Sequence, residues 1–331
     1  MDILSQAVVG SCASQSLTQT QQKYAFIVGA VSAVLPDLDV FIRSETDPLL
    51  FLEYHRQFTH SLLFVPILVL LSTSIFYVIL KKKLYFKQIY LFSLFSVLTH
   101  GLLDTCTSYG TQLLWPFSDE RLSWNIISII DPLFTIPILI GTSLGVYYKT
   151  ALYSRISLLF LLIYLSFGVV QHNRAEKVIY KLAEESKHEV ERFIVKPSFG
   201  NQILWKGLYQ SGDYYYVNAI KLGTDTQIFK GDSIKVLDLE REFPWLKSTD
   251  QHYKDIERFR IFSNDYLAVD PKDPYTIIDV RYSFLPNKIR LMWGIRLHPP
   301  NSKQPHEHVR YVVDNKLDKD TRHAFLKMVF Q

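Results

Sequence analysis

Three histidines stand among the first 171 residues, His55, His60 and His100, and each lies where an uncharged, apolar stretch begins or ends. Carboxylates accompany them: Asp37 and Asp39 in LPDLD, Asp104 in HGLLD, and Asp131 in IIDPLF. Imidazole and carboxylate together are the donors that a divalent metal site requires. Ionisable groups at the ends of membrane-spanning segments are costly to place and usually functional. His100 and Asp104 are spaced i and i+4, so a helix puts both on one face. There they can share one metal, or the carboxylate can orient the imidazole as an outer partner. Read alone, the same spacing also describes a helix-end histidine beside a capping aspartate.

Pro36-Asp37-Leu38-Asp39 follows a hydrophobic segment that Pro36 ends or kinks. Two acids one residue apart can both supply oxygen ligands, or one can cap the next helix. The string His55-Arg56-Gln57-Phe58-Thr59-His60-Ser61 packs two histidines, an arginine and two hydroxyls just before the longest uncharged run. Arg56 can hold a phosphate or carboxylate with two parallel hydrogen bonds, and Thr59 can cap a helix that His60 opens. Asp131-Pro132 interrupts an apolar run over residues 126–148. A buried, unpaired carboxylate there requires a metal, a base or a proton. Asp37, Asp39, His55, His60, His100 and Asp104 are therefore the candidate metal ligands, with Asp131 as general base and Arg56 as anion holder. Mixed nitrogen and oxygen donors suit zinc or manganese better than calcium.

The elements that must position these residues are apolar. Residues 61–80 carry no charge over the length a helix needs to span about 30 Å of hydrocarbon. Residues 88–103, 132–148 and 156–171 are uncharged too, and with 61–80 they give four strong spans. Residues 3–17 and 24–35 add two weak ones. Threaded back and forth, this six-span arrangement puts Lys23, Lys81, Lys82, Lys83, Lys87, Lys149 and Arg155 in short loops on one side, with no acid among them. Lys/Arg bias marks the cytoplasmic side. The candidate site and everything after residue 171 then face away from the cytoplasm. Between the site strings, residues 108–124 form a loop with Trp115 and Trp124, placed to line a pocket or rest on lipid headgroups.

The two halves differ in kind. The chain has 331 residues, net charge +4 and mean hydropathy +0.06. Residues 1–171 hold ten acids and ten bases, whereas residues 172–331 hold 22 and 26, the density of a water-soluble fold. The excess of bases forms no stripe with interleaved aromatics, so no nucleic-acid partner is expected. Residues 172–196 read as an amphipathic helical connector. Residues 197–331 read as a β-rich domain, with ILWKGLYQ, DYYYVNAIKL, YTIIDVRYSF and KIRLMWGIRL as strands. The fold class is thus an α-helical multi-pass membrane domain, residues 1–171, followed by a small β-rich (α+β) domain. Cys12 and Cys106 make no disulfide framework and read as buried thiols. His306 and His308, near His298, read as a surface loop.

In order along the chain, MDILSQAVVG, LPDLD, HRQFTHSLLF, LTHGLLDTCTSYGTQLLWPFS and IIDPLFTIPILIG resemble the YdjM-type family of inner-membrane-associated metal-dependent hydrolases. The resemblance continues more weakly through VQHNRAEK and NQILWKGLYQSGDYYYV, and covers most of residues 1–220. It implies a multi-pass protein of the cell inner membrane with metal-dependent hydrolase activity. The polar motif positions it carries over are Asp37, Asp39, His55, Arg56, Thr59, His60, His100, Asp104 and Asp131. Family members typically begin with Thr-His where this chain has Ser5-Gln6. Gln6 thus replaces either a ligand or an outer-shell group. The expected partners are the lipid bilayer and a small-molecule or lipid-like phosphoester at headgroup depth. Two rivals share the same residues: a metal or proton transporter, and a non-catalytic membrane protein with a structural metal.

Overall fold

The computed structural model describes residues 1–299, 307–314 and 316–330. His306 lies outside them. The chain forms two units, Met1–Phe41 with Tyr54–Val170 and Phe199–Gln202, and Ile42–Glu53 with Gln171–Ser198 and Ile203–Gln331.

The first unit is helical. Helix α1 (Ile3–Ser16) starts at Asp2, whose side chain accepts from Ser5 N. Helix α2 (Gln22–Val34) runs into a 3₁₀ segment, Leu35–Phe41, because Pro36 has no N–H to continue the α-helical ladder. A short helix, α3 (Leu50–Tyr54), which belongs to the second unit up to Glu53, and a 3₁₀ turn of the first, Phe58–His60, precede α4 (Val65–Leu80). Then come α5 (Phe86–Thr105), α6 (Pro132–Tyr148) and α7 (Leu152–Glu185). The interior of this unit is small and hydroxylated. Ser14 and Ser96 share a 2.7 Å hydrogen bond, as Ser32 and Ser72 do at 2.6 Å. A Cβ on Gly10 would lie 2.8 Å from Gly29 O, so α1 and α2 approach backbone to backbone. Many large apolar side chains point outward, among them Ile67, Leu70, Leu71 and Ile75 on α4, and Ile156, Leu159, Leu162 and Ile163 on α7. Small residues inside and leucine outside is the packing expected in lipid, where apolar surface gains nothing by burial.

The four strong spans of the sequence reading are not upheld. Among the described residues, two helices are long and apolar enough to cross a membrane, Gln22–Phe41 and Leu152–Glu185. The bent pair Leu50–His60 and Val65–Leu80, with a 79° break, makes a third if taken as one span. Residues 61–64 lie outside the helix expected over 61–80; α4 starts at Val65 with Pro66 in its first turn, leaving 16 residues, about 24 Å. Helix α5 has 20 residues but spends its length on serines, threonines, His100 and Asp104. Helix α6 has 17 residues and remains short. Conversely the weak candidate over 24–35 gains length from the 3₁₀ segment that carries Asp37 and Asp39.

The second unit is β-rich. Helix α7 ends at Glu185, and Lys187 turns the chain with φ +56°. Strand β1 (Arg192–Pro197) therefore replaces the end of the expected helical connector. It pairs in sequence with β2 (Leu204–Ser211), β3 (Tyr214–Leu222) and β4 (Thr226–Lys235) as one antiparallel sheet. After α8 (Leu239–Glu242) and α9 (Gln251–Phe262), a second antiparallel sheet follows in order β5 (Leu267–Asp270), β6 (Asp273–Asp279), β7 (Trp293–Arg296) and β8 (Arg310–Val313). Helix α10 (Lys319–Phe330) follows. The first sheet is covered on both faces, which explains the unbroken burial of the first six residues of β2. Ala175, Ile179 and Ala183 of α7 pack on Trp205 and Ile220, while Leu208 and Tyr215 pack on Ala268 and Ile278 of the second sheet. His308 is bonded through Nδ1 to Asp255 at 2.9 Å. Cys12 and Cys106 are buried free thiols.

Candidate metal centre

Three short elements of the first unit converge. The 3₁₀ segment Leu35–Phe41 has three residues per turn, so Asp37 and Asp39 leave it in different directions. Residues 55–60 turn tightly, with Arg56 at φ +61°, and deliver His55, Arg56, Thr59 and His60. The last turns of α5 supply His100 and Asp104 from one face. Gly101 permits the approach, since a Cβ there would meet the carbonyl oxygen of His60 at 2.9 Å.

Among the described residues, two groups of side chains could hold a metal ion: Asp37, His60, His100 and Asp104, and Asp37, Asp39 and His55. All six sequence-derived ligand candidates are in them. In the first group, His60 Nε2 and His100 Nε2 are 2.8 Å apart. His60 Nε2 lies 3.4 Å from Asp37 Oδ1 and 3.3 Å from Asp104 Oδ2; the corresponding distances from His100 Nε2 are 3.5 and 3.6 Å. Four donors bound at the usual zinc distances sit about 3.3 Å apart at the corners of a tetrahedron. The cage has that size.

The outer contacts fix which nitrogens face inward. His100 Nδ1 donates to the carbonyl of Ala33, which leaves Nε2 a lone pair. Thr59 Oγ1 donates to Asp39 Oδ2 at 2.8 Å, so its oxygen is free to accept from His60 Nδ1 at 3.0 Å. Asp39 Oδ2 also lies 3.2 Å from His60 Nδ1. His60 Nε2 is then a lone pair as well. Two imidazole lone pairs face each other beside two carboxylates, and only a positive charge between them makes the arrangement favourable. A divalent ion contacts all four donors, which a single proton cannot. Asp37 Oδ2 is buried and accepts no hydrogen bond, as an oxygen open to a cation would be, while Asp104 Oδ2, also buried, has the Arg56 guanidinium beside it. The donor set fits a divalent metal.

Around this cage, Asp39 accepts from Arg56 N at 2.9 Å and lies 2.8 Å from His55 Nδ1. The buried Arg56 side chain has Nε 3.2 Å from Asp104 Oδ2, donates from Nη1 to Thr107 Oγ1, and lies over the Tyr109 ring. Gln6 Nε2 donates to Asp104 Oδ1 at 2.9 Å, and the Met1 amino group contacts the same oxygen. Asp131 is not brought to the cluster. It caps α6, accepting from Leu133 N and Phe134 N, and its Oδ2 accepts from Tyr164 Oη at 2.8 Å. Thr107, Tyr109 and Arg121, whose Nη2 donates to the carbonyl of His55, are contacts the sequence did not single out. Their only signal was membership of the loop following HGLLD.

The sequence model of the YdjM inner membrane protein family matches residues 1–175. Over 258 residues the chain is 25% identical to the uncharacterized protein YfhP of Bacillus subtilis (strain 168), covering 75% of this chain and 74% of YfhP. Over 109 residues it is 35% identical to the inner membrane protein YbcI of Escherichia coli (strain K12), covering 30% of this chain and 60% of YbcI. No solved structure matches it.

Proposed function

Since the chain belongs to the YdjM inner membrane protein family, whose model matches more than half of it, we propose that it is a membrane-bound, metal-dependent hydrolase of phosphoester or lipid-like substrates. The observation that carries this reading is the pair of inward-facing Nε2 atoms, His60 and His100, framed by Asp37 and Asp104. Zinc or manganese suits that donor set. An ion held there supplies Lewis-acid polarisation of a phosphoryl or carbonyl oxygen. The protein's own groups do the rest. Arg56, held by Thr107 and Tyr109 beside Asp104, is the group for an anionic oxygen of substrate or leaving group. Asp39 and Thr59 hold His60, and Ala33 O holds His100, in the tautomers that face inward. Asp131, engaged by Tyr164 and the α6 N-terminus, serves the helix rather than the chemistry.

One observation favours a second reading, a structural metal without catalysis. Four protein donors on a tetrahedron leave no position for water, as in structural zinc sites. A single experiment separates the readings. The purified chain is analysed for bound metal and assayed on phosphomonoester, phosphodiester and phospholipid substrates, with and without chelator. Chelator-sensitive hydrolysis that falls at least 100-fold in His100→Ala supports the hydrolase. Stoichiometric metal without hydrolysis of any substrate supports the structural site. Hydrolysis that persists in His100→Ala sinks the assignment of this centre.

A further inference from the structure

Asp37 belongs to both potential metal groups. Its Oδ1 faces the two histidine nitrogens, 3.4 and 3.5 Å away. Its Oδ2 is buried and accepts no hydrogen bond, and an ion bound through Oδ1 alone does not satisfy it. Leaving such an acceptor unmatched costs on the order of 1–3 kcal/mol. Asp39 and His55 complete the other group with Asp37, each offering an atom within 4.8 Å of the others.

We infer that a second divalent cation binds between Asp37, Asp39 and His55, with Asp37 bridging it to the ion held by His60, His100 and Asp104. The inference rests on the metal-centre reading above and answers what that reading left open, namely where substrate meets metal.

The two positions differ in access. The side chains of His60, His100 and Asp104 have no exposed surface, whereas His55 is 20% exposed and Asp37 9%. The second position is therefore the mouth of the site. Three protein donors also leave a coordination position for solvent or substrate, the arrangement of catalytic zinc sites, while the inner four-donor cage is closed. Asp39 is already aimed: its Oδ2 is pinned by Arg56 N and Thr59 Oγ1, and its Oδ1 lies 2.8 Å from His55 Nδ1. That separation also suits two atoms sharing one cation, which would replace the hydrogen bond between them.

Charge ties a second ion to an anionic substrate. The side chains of Asp37, Asp39 and Asp104 carry three negative charges and Arg56 one positive. One divalent ion brings this set to zero. A second leaves a surplus of two, which a phosphoester anion neutralises. Paired ions that clamp the attacking and leaving oxygens are a recurrent device of phosphoester hydrolysis.

The test is metal stoichiometry of the full chain in detergent, equilibrated with Mn²⁺ and freed of excess by gel filtration. The expected result is two ions per chain in the wild type and one in both His55→Ala and His55→Gln. The wild-type electron paramagnetic resonance spectrum should show an exchange-coupled pair and the variants an isolated ion. His55 is partly exposed, so these substitutions spare the core, and unchanged elution and circular dichroism confirm folding. One ion in wild type and variants alike overturns the second site and leaves the inner centre standing. No ion in wild type overturns both. Two ions retained by His55→Ala place the second ion elsewhere and overturn the bridge.

Discussion

At the scale of single residues, position 6 decides how the inner cage is tuned. Gln6 donates to Asp104 Oδ1, while Oδ2 of the same carboxylate faces His60 and His100. Its amide nitrogen therefore acts through Asp104, and its Oε1 is buried without a hydrogen bond. Outer-shell partners of this kind are worth about 10–100-fold in metal affinity. We expect Gln6→Ala to weaken retention of the inner ion by that factor in competition with a chelator, with the stoichiometry at saturation unchanged. Unaltered affinity would remove Gln6 from the centre. The ligand candidates themselves were legible because their spacing is chemical: Asp-x-Asp, two histidines five apart, and His-x-x-x-Asp. Thr107, Tyr109 and Arg121 were not. Their roles depend on a loop path that folds Tyr109 over Arg56, and no local pattern encodes such a path.

At the scale of elements, sequence reading succeeded where one period dominates and failed where two compete. Residues 192–197 carry the apolar Phe193, Ile194 and Val195, which extend the helical pattern of α7, yet they pair as β1 because Lys187 has already broken the helix. That pairing sets Lys196 directly opposite Lys206 across β1 and β2. Both are buried. Lys206 Nζ donates to Ser283 Oγ and to the carbonyl of Lys288, and Lys196 Nζ sits 3.3 Å over the Tyr282 ring. Burial, only partly offset by Asp279 and Asp232, pushes the Lys206 amine down to about 7. An unfolded lysine titrates near 10.4. Between those values the unfolded chain holds a proton that the folded one lacks, so stability rises with pH through the window and is flat below it. The full effect is ~5 kcal/mol as an upper bound. Denaturant unfolding of the chain with Trp115, Trp124, Trp245 and Trp293 replaced by Phe, followed by the fluorescence of buried Trp205, should show the second unit gaining stability from pH 7 to pH 9.5. Lys206→Met should reduce the slope, and what remains belongs to Lys196, whose amine burial also pushes down. A profile flat across that range with Lys206 in place would show that Lys206 titrates normally.

At the scale of the whole molecule, the count of spans changed but the polarity of the helices did not. Helix α2 begins beside Lys23 and leads to Asp37 and Asp39; α4 begins after His60 and ends at Lys81, Lys82 and Lys83. Helix α5 starts beside Lys87 and ends at His100 and Asp104, α6 runs from Asp131 to Lys149, and α7 starts with Arg155 in its first turn. Each of these helices has a basic end, and the other ends of α2, α4 and α5 carry the candidate metal ligands, whichever of them crosses the whole bilayer. Hydropathy alone could not set the number of spans, because α5 keeps serines and two ionisable ligands inside its length while α2 borrows a turn from the 3₁₀ segment. By the Lys/Arg bias we expect the basic ends at the cytoplasmic face. Lys82→Cys should therefore resist a membrane-impermeant maleimide added to intact cells and react after permeabilisation, against a background in which Cys12 and Cys106 are buried. A reporter active only outside the cytoplasm, fused at the C-terminal end, should be active. Labelling of the Lys82→Cys variant in intact cells would invert this orientation and put the metal centre on the cytoplasmic side. A phosphoester substrate would then have to come from the cytoplasm or the inner leaflet.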